Sequence, residues 1–354
     1  MTADVCVVGL GGSGLAAVDE LLGSGATVVG VDAGCVAGGA AGRNGGFLLA
    51  GLADPYDVVV AAIGRERAAA LHQLTLDEMA RMTAAAPEAV RRGGSLRIED
   101  DEAGWASCAR QADALRQDGF TVEEHDGPEG RGLLFPGDGA MQPLARCRAL
   151  ALTALDRGAR LHERSRVIDI EPHRVTTEHG RVDCTSVVVA VDGRLDLLLP
   201  ELAGTVSTVR LQMLGTAPTA EVALRRPVYL RGGLDYWQQL PDGRLVVGGC
   251  RDVGGASERT ADTEPTAEVQ AALDTLLRQR LGVQAPVTHR WAASVGYTAS
   301  GLPFLGEVRD QVWAAGGYCG TGNVVGALCG RAAATRALGQ DSPATAFEGL
   351  LPGG

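Results

Sequence analysis

The chain has 354 residues, a formal net charge of −11, and is 45% hydrophobic and 21% charged. That length allows about two domains, with a core that needs neither disulfide nor metal, and the balance excludes wholesale disorder. An acidic chain with 4% aromatic residues and no run of five or more basic residues is a poor partner for nucleic acid or for an anionic membrane.

Two compositional features narrow the chemistry. Lysine is absent, so all 32 basic residues are Arg. A lysine Schiff base, a lysine general base and a P-loop lysine are thereby excluded, whereas anion clamping is not. Fifty residues are Gly, about twice the usual share, so the backbone turns tightly or approaches something closely. The eight cysteines and six histidines are scattered without zinc spacing, and no metal is expected. Free thiols, no secretory leader and no 18-residue apolar run lead to the expectation of a cytoplasmic protein.

In chain order, residues 3–9 (ADVCVVG) read as a buried strand, Leu15 to Leu22 as a helix, and 26–32 (ATVVGVD) as a second buried strand, a βαβ start. Residues 34–51 carry six glycines between 38 and 51, which predicts a loop with neither stable helix nor ordinary strand. Residues 64–93 read as helical with a break at Pro87, 105–119 as a helix stopped by Gly119, and 133–143 as a turn-rich strand region. Arg146–Arg157 is a predicted helix with Gly158 at its C-terminus. Short strands follow to 191, then a β-rich region over 205–260 with a hairpin turning at Asp242-Gly243. A helix over 265–281, a strand over 287–298, a strand and loop over 311–323, and a helix from Val324 to Leu338 complete the chain.

The sharpest motif is Gly9-Leu10-Gly11-Gly12-Ser13-Gly14, between the first strand and the first helix, with Asp32 closing the second strand. Gly9 permits the tight turn, Gly11 admits a pyrophosphate, and Gly14 lets helix and sheet pack closely. The helix N-terminus then faces phosphate, and Asp32 accepts from ribose hydroxyls. Strand, glycines, helix, strand and acid in this order predict a dinucleotide site, without choosing between FAD and NAD.

Residues 39–46 (GAAGRNGG) resemble the S-G-A-S-G-R-N-G-G stretch of the FAD-dependent oxidoreductases that include D-amino-acid oxidase, glycine oxidase, sarcosine oxidase and γ-glutamylputrescine oxidase. The resemblance spans nearly the whole chain. GGSLRIEDDEAG (93–104), FPGDGAMQP (135–143), ERSRVIDIE (163–171) and VVVAVDG (187–193) are each similar to a family segment. So are DGRLVVGGCRD (242–252), Trp291 with YTASGLPFLG (297–306), and AAGGYCGTGNVVGALCGR (314–331).

The resemblance implies an α/β fold: a Rossmann-like FAD-binding domain (1–70, 140–205 and 300–354) with a discontinuous antiparallel-sheet substrate domain (71–139 and 206–299). It implies non-covalent FAD bound by Gly9, Gly11, Gly12, Ser13, Gly14, Asp32, Ala33, Ala40, Ala41, Arg43, Asn44, Gly45, Gly46, Val167, Ala190, Gly193, Gly320, Thr321, Gly322 and Asn323. Val167 would meet adenine through its backbone. The Gly320–Asn323 loop would turn N–H groups toward the flavin, where a helix N-terminus favours negative charge; Asn323 is alternatively a helix N-cap. Arg43 is a candidate for a flavin-edge or substrate contact, or for a surface salt bridge. Phe47, Tyr236, Trp237, Arg251, Val295 and Cys319 are the substrate-pocket candidates, with aromatic residues on strands equally suited to a core.

Departures from the family bear on substrate. Val295 stands where the amino-acid oxidases carry a carboxylate-clamping Arg, and Ser300 where they carry Asp. Ala41 replaces a Ser. Val295-Gly296 replaces the flavin-linking Cys of monomeric sarcosine oxidases, and their oxygen-activating Lys has no counterpart. The expected activity is oxidation of the C–N bond of a primary or secondary amine to an imine, by hydride transfer to flavin N5, with oxygen or another acceptor reoxidising the cofactor. No side-chain base is assigned. Open alternatives are an amino-acid oxidase whose clamp is a relocated Arg such as Arg251 or Arg43, an imine-forming flavin dehydrogenase, and a flavin-binding protein without turnover.

Overall fold

The computed structural model describes residues 1–351. The strand Thr2–Val8 lies parallel between Val28–Val31 and Gly180–Val189, with Val7 opposite Gly30 on one side and Val188 on the other. Arg160–His162 extends one edge and Val312–Gly316 the other, both parallel; Phe304–Arg309 folds back on the latter. Successive side chains of a strand face opposite ways. Val5 and Val7 accordingly join the core under the helices Gly12–Gly23, Pro143–Asp156 and Val325–Ala337. Cys6 and Val8 join a second core under the antiparallel strands Val167–Glu171 and Arg174–Thr177. This doubly covered sheet is the reason these strands read as continuous apolar runs.

A second eight-stranded sheet runs in the order Val287–Tyr297, Ser207–Thr216, Leu245–Gly248, Asp235–Gln239, Val228–Leu230, Ser95–Glu99, Gly130–Phe135, Glu123–Gly127. Every neighbouring pair is antiparallel except Val228–Leu230 beside Ser95–Glu99. Helix Ala267–Thr275 and the turn Leu276–Arg280 seal one face through Val269, Leu273 and Leu277. The fold is thus α/β with a mixed, largely antiparallel second sheet.

Three local expectations change. Residues 34–51 are not wholly loop: a helical turn Ala40–Arg43 and a short strand Phe47–Leu48 form, the latter pairing with Gly139–Met141 in a small third sheet. The helical stretch expected over 64–93 is one helix, Arg65–Ala85, followed by strand Val90–Arg91, and a further helix, Tyr56–Ile63, precedes it. Ala86, before Pro87, sits at φ −144 and ψ 61, as the proline ring demands of its predecessor. The strand Glu123–Gly127 carries no alternation of buried residues, which hid it from a reading by pattern.

The first sheet draws its strands from 2–31, 160–189 and 304–316, and the second from 95–135 and 207–297. A boundary at residue 70 falls inside helix Arg65–Ala85, whose Leu71 packs into the first core and whose Glu78 meets Arg331. The last three residues of the segment 300–354 lie outside the described residues.

Candidate active site

A cavity of about 1320 Å³ runs between the two large sheets. It is lined by Gly9, Gly11, Gly12, Ser13, Asp32 and Ala33 at one end, by Ala40, Ala41, Arg43, Asn44, Gly45, Phe47, Val167 and Ala190 along its length, and by Gly320, Thr321, Gly322 and Asn323 near its middle. Tyr236, Arg251, Val295 and Cys319 line the end toward the second sheet. Four of the expected residues are not in the wall. Gly14 and Gly46 are backbone packing points, since a Cβ there would collide with the carbonyl oxygens of Gly9 and Met141. Gly193 packs on Gly296, and the wall position there belongs to Asp192. Trp237 points the other way into the core of the second sheet, 1% exposed, because strand neighbours alternate faces and Tyr236 takes the cavity side.

The glycine-rich end is built for an anion. Gly9 holds φ +97, and a Cβ on it would stand 2.6 Å from the Ala190 carbonyl oxygen. Helix Gly12–Gly23 begins with Gly11 as a cap lacking any side chain. The N–H groups of Gly11, Gly12 and Ser13 therefore have no acceptor among the described residues, as the first turn of a helix leaves them. The Ser13 hydroxyl is engaged elsewhere, accepting from the Tyr318 hydroxyl at 2.8 Å. Asp32 accepts from the Leu10 N–H at 2.7 Å and from the Gly34 N–H at 2.8 Å, one per carboxylate oxygen. Each oxygen keeps a lone pair for a hydroxyl facing the cavity.

The loops along the cavity are tied by polar side chains. Asn323 is not an N-cap: the last helix starts at Val325 with Val324 as its cap, and the Asn323 amide donates to Asn44 Oδ1 at 3.0 Å and to the Phe47 carbonyl at 2.8 Å. The Trp291 ring N–H donates to the Arg43 carbonyl at 2.7 Å. Arg43 forms no salt bridge among the described residues; its guanidinium donates to the Ala292 carbonyl at 3.4 Å at the cavity edge.

Asp192 is a residue the sequence reading missed. It holds φ +51, a conformation that favours glycine. Its carboxylate accepts from Gly296 N–H at 2.8 Å, Gly317 N–H at 2.9 Å and Tyr318 N–H at 3.3 Å. One half-buried side chain thus joins three segments at the cavity wall, and loss of solvent raises its carboxyl above the ordinary value despite those donors.

At the second-sheet end, Phe47 and Tyr236 meet edge to face at 5.7 Å and form an aromatic corner. The Arg251 guanidinium lies 4.7 Å from the centre of the Tyr297 ring and forms no salt bridge among the described residues. Burial raises both tyrosine hydroxyls above their ordinary value, so they stay protonated. Burial likewise raises the Cys319 thiol, whose Sγ accepts from the Thr298 N–H at 3.4 Å. Beyond lie Arg97, Gln111 and Tyr229, with Arg97 already paired to Glu99 at 3.0 Å.

A groove with free N–H groups, a hydroxyl-accepting acid and an aromatic corner matches a dinucleotide with a redox ring at its far end, and the comparisons agree. The family described as FAD dependent oxidoreductase (DAO) matches residues 4–336. The γ-glutamylputrescine oxidoreductase of Escherichia coli (strain K12) is 28% identical over 100% of this chain and 89% of its own. A Haemophilus influenzae protein named "Probable oxidoreductase OrdL" is 25% identical over 98% of this chain and 86% of its own. The glycine oxidase structure from Geobacillus kaustophilus superposes with a TM-score of 0.80 at 21% identity, over 96% of each chain. No helix is long and apolar enough to cross a membrane among the described residues. With the family pattern covering nearly the whole chain and the groove it requires in place, the chain belongs to the DAO family of FAD-dependent oxidoreductases.

Proposed function

We propose that the protein oxidises the C–N bond of a small primary or secondary amine, with FAD held non-covalently along the groove. The observation that carries this reading is the continuity of one cavity from the Gly9–Gly14 turn to the Phe47–Tyr236 corner. Bound FAD would supply the two-electron acceptor for the hydride on the carbon beside nitrogen, and the imine product would be open to hydrolysis by water. The residues' task is placement and charge. Gly11, Gly12 and Ser13 would hold the diphosphate, Asp32 the ribose, and the Gly320–Asn323 backbone the pyrimidine edge of the flavin. Phe47 and Tyr236 would orient the amine and exclude water. Oxygen or another acceptor would complete the cycle.

A second reading has its own observation. Arg251 faces the cavity with no acid partner among the described residues, beside Tyr236 and Tyr297. A cation so placed suits an amine that also carries a carboxylate, in place of the clamp lost at Val295. An anaerobic titration followed at the flavin absorbance tests both. Bleaching by amines but not by amino acids supports the first reading, bleaching by amino acids supports the second, and a colourless protein that takes up no flavin overturns both.

A further inference from the structure

We infer that Arg146 is the cofactor's diphosphate counter-charge, a side chain that joins the glycine-rich turn from a different helix and sets the affinity for FAD. The inference rests on the placement of FAD proposed above.

Arg146 sits in the first turns of helix Pro143–Asp156, which packs against the first helix. It is 3% exposed, yet it lines the cavity together with Gly12 and Ser13. Its Nη1 is 3.8 Å from where a Cβ on Gly12 would stand, so the guanidinium adjoins the first residue of the helix Gly12–Gly23. That helix has 12 residues and three cavity-facing N–H groups without acceptors.

Among the described residues no carboxylate is within ion-pair distance of this cation, although Glu78 and Asp19 act on it from further off. Arg146 is in no ion pair among the described residues. The carboxylates around it are committed: Glu78 to Arg331 at 3.2 Å and Arg81 at 3.7 Å, and Asp19 to Arg331 at 2.9 Å and Arg157 at 2.7 Å. Burial holds the Arg146 guanidinium below its ordinary value, with Arg331 acting in the same sense and Cys147, Glu78 and Asp19 opposing it only in part. A buried, unpaired guanidinium is costly unless something pairs with it. Arg146 lines the cavity together with Gly11, Gly12 and Ser13, whose N–H groups have no acceptor among the described residues. Helix N-terminus and guanidinium together suit a dianionic diphosphate, which the fork of Arg matches through two parallel hydrogen bonds. A lone phosphate or carboxylate would leave donors unused.

The test uses the full-length chain and needs no turnover. FAD affinity is read from flavin fluorescence, with ADP and adenosine as competitors, since they differ only in the diphosphate. In the unaltered protein ADP competes far better than adenosine. Arg146→Leu is expected to weaken FAD and ADP by about 10- to 100-fold while adenosine is unchanged, and to leave the melting temperature of the flavin-free protein the same or higher. Arg146→Lys keeps part of the preference for ADP. Should Arg146→Leu fail to fold, Arg146→Gln replaces it and must lose the preference that Arg146→Lys keeps. Equal losses for ADP and adenosine, or an unchanged ADP-to-adenosine ratio in a folded Leu or Gln variant, overturn the role of Arg146. If the unaltered protein binds FAD but ADP competes no better than adenosine, the placement of the cofactor fails first and the inference falls with it.

Discussion

Asn44 and Asn323, 279 positions apart, each donate to the other's side-chain oxygen, at 3.1 and 3.0 Å. The pair closes on itself and then anchors outward: Asn44 Oδ1 also accepts from the Gly46 N–H at 2.7 Å, and the Asn44 amide donates to the Ala40 carbonyl at 3.0 Å. The two loops that line the middle of the cavity are therefore one unit. Removing one amide leaves the other half-buried and unpaired. Asn44→Ala and Asn323→Ala should each cost about 1–3 kcal/mol in denaturant unfolding. The double variant should cost clearly less than the sum, because the second change removes an already orphaned group. Strict additivity would mean that the pair carries no mutual interaction.

Asp138 predicts a pH dependence. Its carboxyl lines the cavity, 3% exposed, and accepts from Ser95 Oγ at 2.6 Å and from the Ala50 N–H at 2.9 Å. Burial nonetheless pushes it up to about 7 from an ordinary 3.8. The folded chain then holds a proton that the unfolded chain has released. Stability from this group is full below the unfolded value and declines as pH rises toward about 7, by at most about 1.4 kcal/mol per pH unit. Asp138→Asn cannot titrate, and its amide oxygen can still accept from Ser95 Oγ. Melting temperatures from pH 4.5 to 8 should fall less steeply in the variant, and an unaltered slope would remove Asp138 as the cause.

Arg331 is the buried hub between the first helix, the helix Arg65–Ala85 and the last helix. It pairs with Asp19 at 2.9 Å, Glu20 at 3.0 Å and Glu78 at 3.2 Å. Glu78 is 3% exposed, and burial raises its carboxyl despite the arginines around it. Arg331→Met strands that carboxylate and should cost about 3–5 kcal/mol. Adding Glu78→Gln should recover part of the loss, which chemical denaturation of the single and double variants measures.

Much of this was legible because neighbours in sequence carry it. Gly9, Gly11 and Asp32 meet through a single βαβ unit, so spacing alone brings them together. Residues set by tertiary contact were harder to read. Tyr236 and Trp237 are adjacent and both aromatic, and only the sheet decides which faces the cavity. Asp192 performs its task in a left-handed conformation, where a reader looks for glycine and passes to Gly193. Arg146 reads as one more arginine in a helix; its meaning depends on which helix face meets the glycine-rich turn. The helix Tyr56–Ile63, which ends at Gly64 with φ +84, is only eight residues long and carries the β-branched run Val58–Val60, so it does not read as helical.

Arg251 separates the two substrate readings by variant rather than by substrate survey. Its guanidinium is held over Tyr297 and lines the cavity without an acid partner among the described residues, while Val295 offers no charge. If the amine carries a carboxylate bound by Arg251, Arg251→Met removes that counter-charge, and anaerobic titration should show binding weakened by about 100-fold. Arg251→Lys should fall between, since an ammonium keeps the charge and loses the planar fork. An amine lacking the carboxylate should bind either variant as it binds the unaltered protein. Equal losses for both kinds of amine would instead make Arg251 a support for Tyr297 and Tyr236 rather than a partner for the carboxylate.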